Sequence, residues 1–124
     1  DTTDKERIHE YHKKGTFYEI DKDGNKSTRI VGDNYEVVAG SDFVNIKGSA
    51  NLTIDSNCNT YIKGDWNIQV DGTKTEVVTG AVSETYKSTK TENVTGAVQE
   101  TFSSTQTTNV SSNVTITGSR IDLN

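Results

Sequence analysis

Ile46-Lys47-Gly48-Ser49-Ala50-Asn51-Leu52-Thr53-Ile54-Asp55-Ser56-Asn57-Cys58-Asn59-Thr60-Tyr61-Ile62-Lys63-Gly64-Asp65 holds three passes of one pattern. A small residue stands at 48, 56 and 64, each with an Ile two places before it. Extended in both directions, the rungs are Gly24, Gly32, Gly40, Gly48, Ser56, Gly64, Gly72, Gly80, Ser88, Gly96, Ser104 and Ser112. Eight of these twelve rungs are Gly in a chain with only 10 Gly, so the phase is not an accident of composition. The chain is an octad repeat.

The residue two before each rung is apolar, as at Ile30, Val38, Ile46, Ile54, Ile62, Val70, Val78, Tyr86, Val94, Phe102 and Val110. Turn formers dominate just after it, including Asn25, Asp33, Asn57, Asp65 and Asn113. A β-branched residue suits a strand, Gly takes backbone conformations that other residues resist, and Asn or Asp bonds back to its own backbone. Each octad is therefore predicted to be one short strand and one corner, with corners at Gly32, Gly40, Gly48, Gly64, Gly72, Gly80 and Gly96.

Strand alternation puts the second, fourth and sixth positions after a rung on one face. Val44, Ile46, Ala50, Leu52, Ile54, Cys58, Ile62, Trp66, Ile68 and Val70 collect there, and Asn45, Lys47, Asn51, Thr53 and Lys63 collect opposite. The first face is predicted to be core. Cys58 is expected inside it as a small hydrophobe, and a lone Cys excludes an intrachain disulfide framework.

With 124 residues, 30% of them hydrophobic, one copy lacks the apolar material to offset its own ordering entropy. Either the chain is disordered or several copies share a core, and strict periodicity favours sharing. A net charge of −5 argues against a nucleic-acid surface. No signal peptide and no membrane-spanning apolar run is read. The start at Asp1 and the absence of Met lead to the expectation of a piece cut from something longer.

Residues 1–7 are charged and expected to fray. Ile8 to Tyr11, Gly15 to Asp21 and Ser27 to Val31 read as short antiparallel strands, with a turn at Asp23-Gly24-Asn25. Residues 1–31 thus form a β neck, 32–117 an octad shaft and 118–124 a tip. His9 and His12 are loosely spaced like metal ligands, but no Cys completes a set, so a solvated pair is expected. Asp21, Asp23 and Asn25 resemble the start of a calcium loop without its distal Glu or flanking helices, so an ordinary turn is expected.

From 72 to 112 a longer period is superposed: Thr75 to Val82 recurs as Thr91 to Val98, and faintly from Thr107 to Val114. Here the fourth position is Glu76, Glu84, Glu92 and Glu100, on the face assigned to the core, with Lys74 and Lys90 two residues before Glu76 and Glu92. Two readings stand. The carboxylates are met inside by Lys, water or ions, or the face is exposed at this level.

Asn51-Leu52-Thr53, Asn93-Val94-Thr95 and Asn109-Val110-Ser111 have the form of glycosylation triplets, which an Asn- and Thr-rich repeat produces without purpose. There is no nucleotide loop, zinc-hydrolase motif or nucleophile elbow, so a catalytic residue, metal or cofactor is not expected. At the end Gly118 stands where the ladder calls for residue 120, and Ile121 and Leu123 alternate with Arg120 and Asp122. A repeat that shortens and stops in apolar alternation reads as a cap or a docking end.

The octads Ile46-Lys47-Gly48, Ile62-Lys63-Gly64-Asp65 and Val70-Asp71-Gly72, the entry Gly15-Thr16-Phe17-Tyr18-Glu19-Ile20-Asp21-Lys22-Asp23-Gly24 and the ending Gly118-Ser119-Arg120-Ile121-Asp122-Leu123 together resemble one family. It is the C-terminal triple-stranded β-helix of the central spike protein, the tail-associated lysozyme, of T-even-like contractile phages. The valine-glycine repeat spikes of type VI secretion are similar.

The resemblance implies an all-β, intertwined homotrimer, a three-sided prism with Ile46, Ile54, Ile62, Val70, Val78, Val94 and Val110 in its core. It implies a membrane-puncturing needle in the virion baseplate, separated from the family's OB-fold and lysozyme domains and not itself an enzyme. It also implies a PAAR-repeat tip protein at the C-terminal end, bound through Arg120, Ile121, Asp122 and Leu123. A baseplate hub would lie at the N-terminal end, with transient contact to the host outer membrane. Two other classes stay open: a trimeric fibre or adhesin, which calls for an aromatic or variable patch, and a monomeric β-solenoid carbohydrate enzyme, in which three octads make one coil of ~24 residues.

Overall fold

The structure is a computed structural model that describes residues 7–124. Of the charged stretch expected to fray, 1–6 lie outside the described residues. Arg7 is tied down: its guanidinium meets the Glu19 carboxylate at 3.1 Å. The described chain is all-β, with no helix among its described residues.

Three four-residue strands form one antiparallel sheet in the order β1-β2-β3: β1 is Ile8–Tyr11, β2 is Phe17–Ile20 and β3 is Lys26–Arg29. The register pairs Ile8 with Ile20, Glu10 with Tyr18 and Tyr11 with Phe17, then Tyr18 with Thr28 and Phe17 with Arg29. Strand β1 has its expected bounds. β2 is trimmed at both ends, because the first turn takes in Gly15 and Thr16, and β3 runs from Lys26 to Arg29, beginning one residue and ending two residues earlier than expected.

In the first turn the Thr16 carbonyl accepts from His12 N–H at 2.7 Å and the His12 carbonyl from Gly15 N–H at 2.8 Å. Gly15 carries φ +102°, where an added Cβ would also stand 3.2 Å from Val31 Cγ2. In the second turn, Asp21 N–H donates to the Asn25 carbonyl at 3.0 Å and Gly24 takes φ +82°. Both glycines occupy left-handed backbone that side chains resist.

Two compact units divide the chain, Asp1–Asp65 and Trp66–Asn124. In the first, the sheet is followed by bends at 31–32, 39–40, 47–48, 55–56 and 63–64. In the second, bends fall at 71–72, 79–80, 87–88, 95–96, 103–104 and 111–112, and a last one at Ser119. Each bend takes in a rung and the residue before it, and the six residues between bends have no regular structure within the chain.

Two expectations are corrected here. Among the described residues only Gly15 and Gly24 have positive φ, so of the rungs Gly24 alone is left-handed, and the corner glycines Gly32, Gly40, Gly48, Gly64, Gly72, Gly80 and Gly96 do not adopt the conformation expected of them. The change of direction is shared between two residues, and neither has to leave the ordinary backbone regions. At the C-terminal end the phase holds although the sequence breaks it. The bend comes at Ser119, one before residue 120, and not at Gly118.

Beyond the sheet, no backbone-to-backbone hydrogen bond links one octad to another among the described residues. A monomeric solenoid would need such bonds between each octad and the one a coil later. No described residue is buried either.

Candidate assembly surface

The sheet turns supply local order. Asp21 Oδ1 accepts from the backbone N–H of Asp23 and of Asn25, both at 2.9 Å, and Asp21 Oδ2 accepts from Asn25 Nδ2 at 3.1 Å. Hydrogen bonds from Asn25, backbone first and then side chain, hold the Asp21 carboxyl below its usual range. All these acceptor sites face the chain itself, which makes this an ordinary Asx-type turn, as expected. His9 lies edge-on to Phe17 with ring centroids 5.8 Å apart, and His12 Nδ1 accepts from Lys14 N–H at 3.2 Å. Among the described residues no three His, Cys, Asp or Glu gather to hold a metal ion.

Along the octads, neighbouring residues of the same type separate the two faces. Val37 is 93% exposed and Val38 47%; Val77 is 85% exposed and Val78 51%. Side-chain size is equal within each pair, so the difference is geometric: positions alternate, and the sixth immediately precedes a bend. Ile46, Ile54, Ile62, Val70, Val78, Val94 and Val110 share this position and are all between 43% and 58% exposed. Leu52, assigned to the same face, is 85% exposed, and Cys58 is exposed too. Within one chain nothing covers the face that the sequence assigned to a core.

The Lys and Glu residues two apart do pair. Lys74 Nζ meets Glu76 at 3.4 Å and Lys90 Nζ meets Glu92 at 3.0 Å, all four side chains exposed. The bond from Glu92 raises the Lys90 pKa. Lys90 also stands over the Tyr86 ring, 5.2 Å from its centroid. That contact was not read from the sequence, although its signal is there: Tyr86 and Lys90 flank the corner at Ser88 and both fall at even positions.

The corners Gly32, Gly40, Gly48, Gly64, Gly72, Gly80 and Gly96 all lie in bends, and a Cβ at any of them would meet nothing within 4 Å in the single chain. At the C-terminal end Arg120 Nε donates to Asp122 Oδ1 at 2.9 Å. Ile121 is 49% exposed and Leu123 88%. The four residues expected to bind a tip partner thus form a charged pair alternating with two uncovered apolar side chains.

No protein-family model matches the sequence. Over 61 residues the chain is 44% identical to Protein Gp5 of Vibrio phage KVP40, an alignment that covers 49% of this chain and 14% of that protein. The chain spans only a small part of the length of the relative it matches.

Proposed function

We propose that three copies of this chain interwind into a triple-stranded β-helix that serves as the puncturing needle of a phage tail baseplate. One observation carries the reading. From residue 33 on, the backbone repeats its bends every eight residues with no hydrogen bond between octads and no buried side chain. Ordering a backbone costs about 1–2 kcal/mol per residue, and nothing within the chain offsets it there. Intertwined copies would pair the free N–H and C=O groups and cover the face that holds Ile46, Ile54, Ile62, Val70, Val78, Val94 and Val110.

Similarity to Protein Gp5 of a Vibrio phage supports a virion role at the tail. The action proposed is mechanical, without a catalytic site. A closed three-sided prism has no lateral strand edge along its length, so it stays folded while tail contraction drives it through the host outer membrane. Arg120, Ile121, Asp122 and Leu123 are proposed to seat a PAAR-repeat tip protein, and the N-terminal side to continue toward the baseplate hub.

Sedimentation equilibrium tests the reading. One chain weighs 13.6 kDa, so the species expected is about 41 kDa. A 13.6 kDa particle at micromolar concentration would overturn it.

A further inference from the structure

The duplication in the second unit poses a problem of register. The second positions after the rungs run Lys74, Val82, Lys90, Val98, and the sixth positions run Val78, Tyr86, Val94, Phe102. Both series alternate, so they repeat after sixteen residues and not after eight. The paired charges repeat likewise, Lys74 with Glu76 and Lys90 with Glu92.

Copies lying side by side and displaced by eight residues would set Lys against Val and an aromatic ring against Val. Displaced by sixteen, they would meet nearly the same side chains as copies in step. A strand register is specified only as strongly as the side-chain pattern distinguishes it, and here the pattern is nearly blind to a sixteen-residue slip.

Only one part of the described chain has hydrogen-bonded structure of its own. The β1-β2-β3 sheet is built from non-repeating sequence, and Val31 N–H bonds to Thr16 Oγ1 at 3.1 Å, fastening the start of the octads to it. Copies that share the octads from residue 32 must therefore bring their sheets together. The sheet also has uncovered apolar material to offer them: Ile8 is 58% and Tyr11 62% exposed, and an open cleft of about 350 Å³ runs beside Glu10, Tyr11, Phe17, Tyr18 and Thr28. Three strands of four residues with no covered face are marginal alone.

We propose that the sheet of residues 8–31 is a registration element, which docks against the same sheet in other copies of this chain and levels them before the degenerate octads zip together. This rests on the reading that copies share the octads.

The test uses the full chain carrying Cys58→Ser and Thr53→Cys, which puts a single spin-labelled thiol on the face opposite the shared one, with distances between copies read by double electron–electron resonance. In the wild-type assembly one narrow distance is expected. In Gly15→Val with Gly24→Val, which strains both sheet turns, the assembly keeps its mass but shows additional distances. These would be longer than the wild-type distance, since a slip of two octads moves a copy along the axis by about two strand spacings of ~4.8 Å each, about 10 Å that add in quadrature to the lateral separation. Adding Val82→Lys with Lys90→Val to that variant breaks the sixteen-residue pattern and restores the single distance.

A single unchanged distance in the Gly15→Val, Gly24→Val variant would overturn the proposal, because register would then be set elsewhere. So would loss of assembly in that variant, which would show that the sheet holds copies together without levelling them. Several distances in the wild-type assembly would overturn it while leaving the needle reading intact, whereas a monomeric wild type would defeat that reading first.

Discussion

Val31 donates its backbone N–H to Thr16 Oγ1 at 3.1 Å, fifteen residues back along the chain, and this bond fastens the first octad to the sheet. Val31 also presses on the first sheet turn, because its Cγ2 lies 3.2 Å from where a Cβ on Gly15 would stand.

Gly15→Ala is therefore expected to destabilise the protein by about 1–3 kcal/mol, from left-handed backbone and the approach to Val31 together. Gly48→Ala meets neither problem within the chain. Any loss there reports the close approach of another copy, whereas the Gly15→Ala loss has its cause within one chain. Thermal melts of both variants make the comparison.

Truncating the sixth-position column is expected to cost far more than truncating its neighbours. Ile62→Ala should lose about 2–5 kcal/mol once copies cover that face, and Thr substituted for Val77 on the opposite face should change stability by about 0.5 kcal/mol or less. Equal shifts in melting temperature would mean that the covered face is the other one.

Cys58 is exposed in the single chain. In the assembled protein it is expected to resist a maleimide, and to react freely once the copies are separated by denaturant. Fast labelling of the native assembly would remove Cys58 from the shared core.

Asp21 ties pH to the second sheet turn. Its folded pKa is lowered, by the Asn25 bonds first, so the carboxylate adds stability that is fully present above the ordinary unfolded value of about 3.9. That stability is lost as pH falls from there through the lower folded value. A titration followed by the Asp21 side-chain carbon signal should show a midpoint below 3.9, and Asp21→Asn should flatten the acid limb of sheet stability. A midpoint at or above the ordinary value would contradict the observed bonds.

Ile121→Ser with Leu123→Ser is expected to abolish binding of a PAAR-repeat tip protein while leaving the assembly's mass unchanged. The Arg120–Asp122 pair, at 2.9 Å and exposed, adds little by itself and should not rescue it. Pull-down of the tip protein with sedimentation of the same samples separates loss of docking from loss of assembly.

The sequence by itself determined the eight-residue period, its two faces and the neck. All three are local: alternation follows from β geometry at each residue, turn chemistry from Asp21 and Gly24, and the spacing of bends from the rungs. The tertiary structure decided what local chemistry leaves open. It put the rungs from Gly32 to Ser112 in two-residue bends of ordinary backbone, kept the last bend at Ser119 against the displaced Gly118, and fastened Val31 to Thr16. It also left Cys58 and the whole even face uncovered within one chain. A periodic pattern marks which face is apolar, but covering that face depends on surfaces distant in sequence or on another molecule, and an octad read singly contains neither.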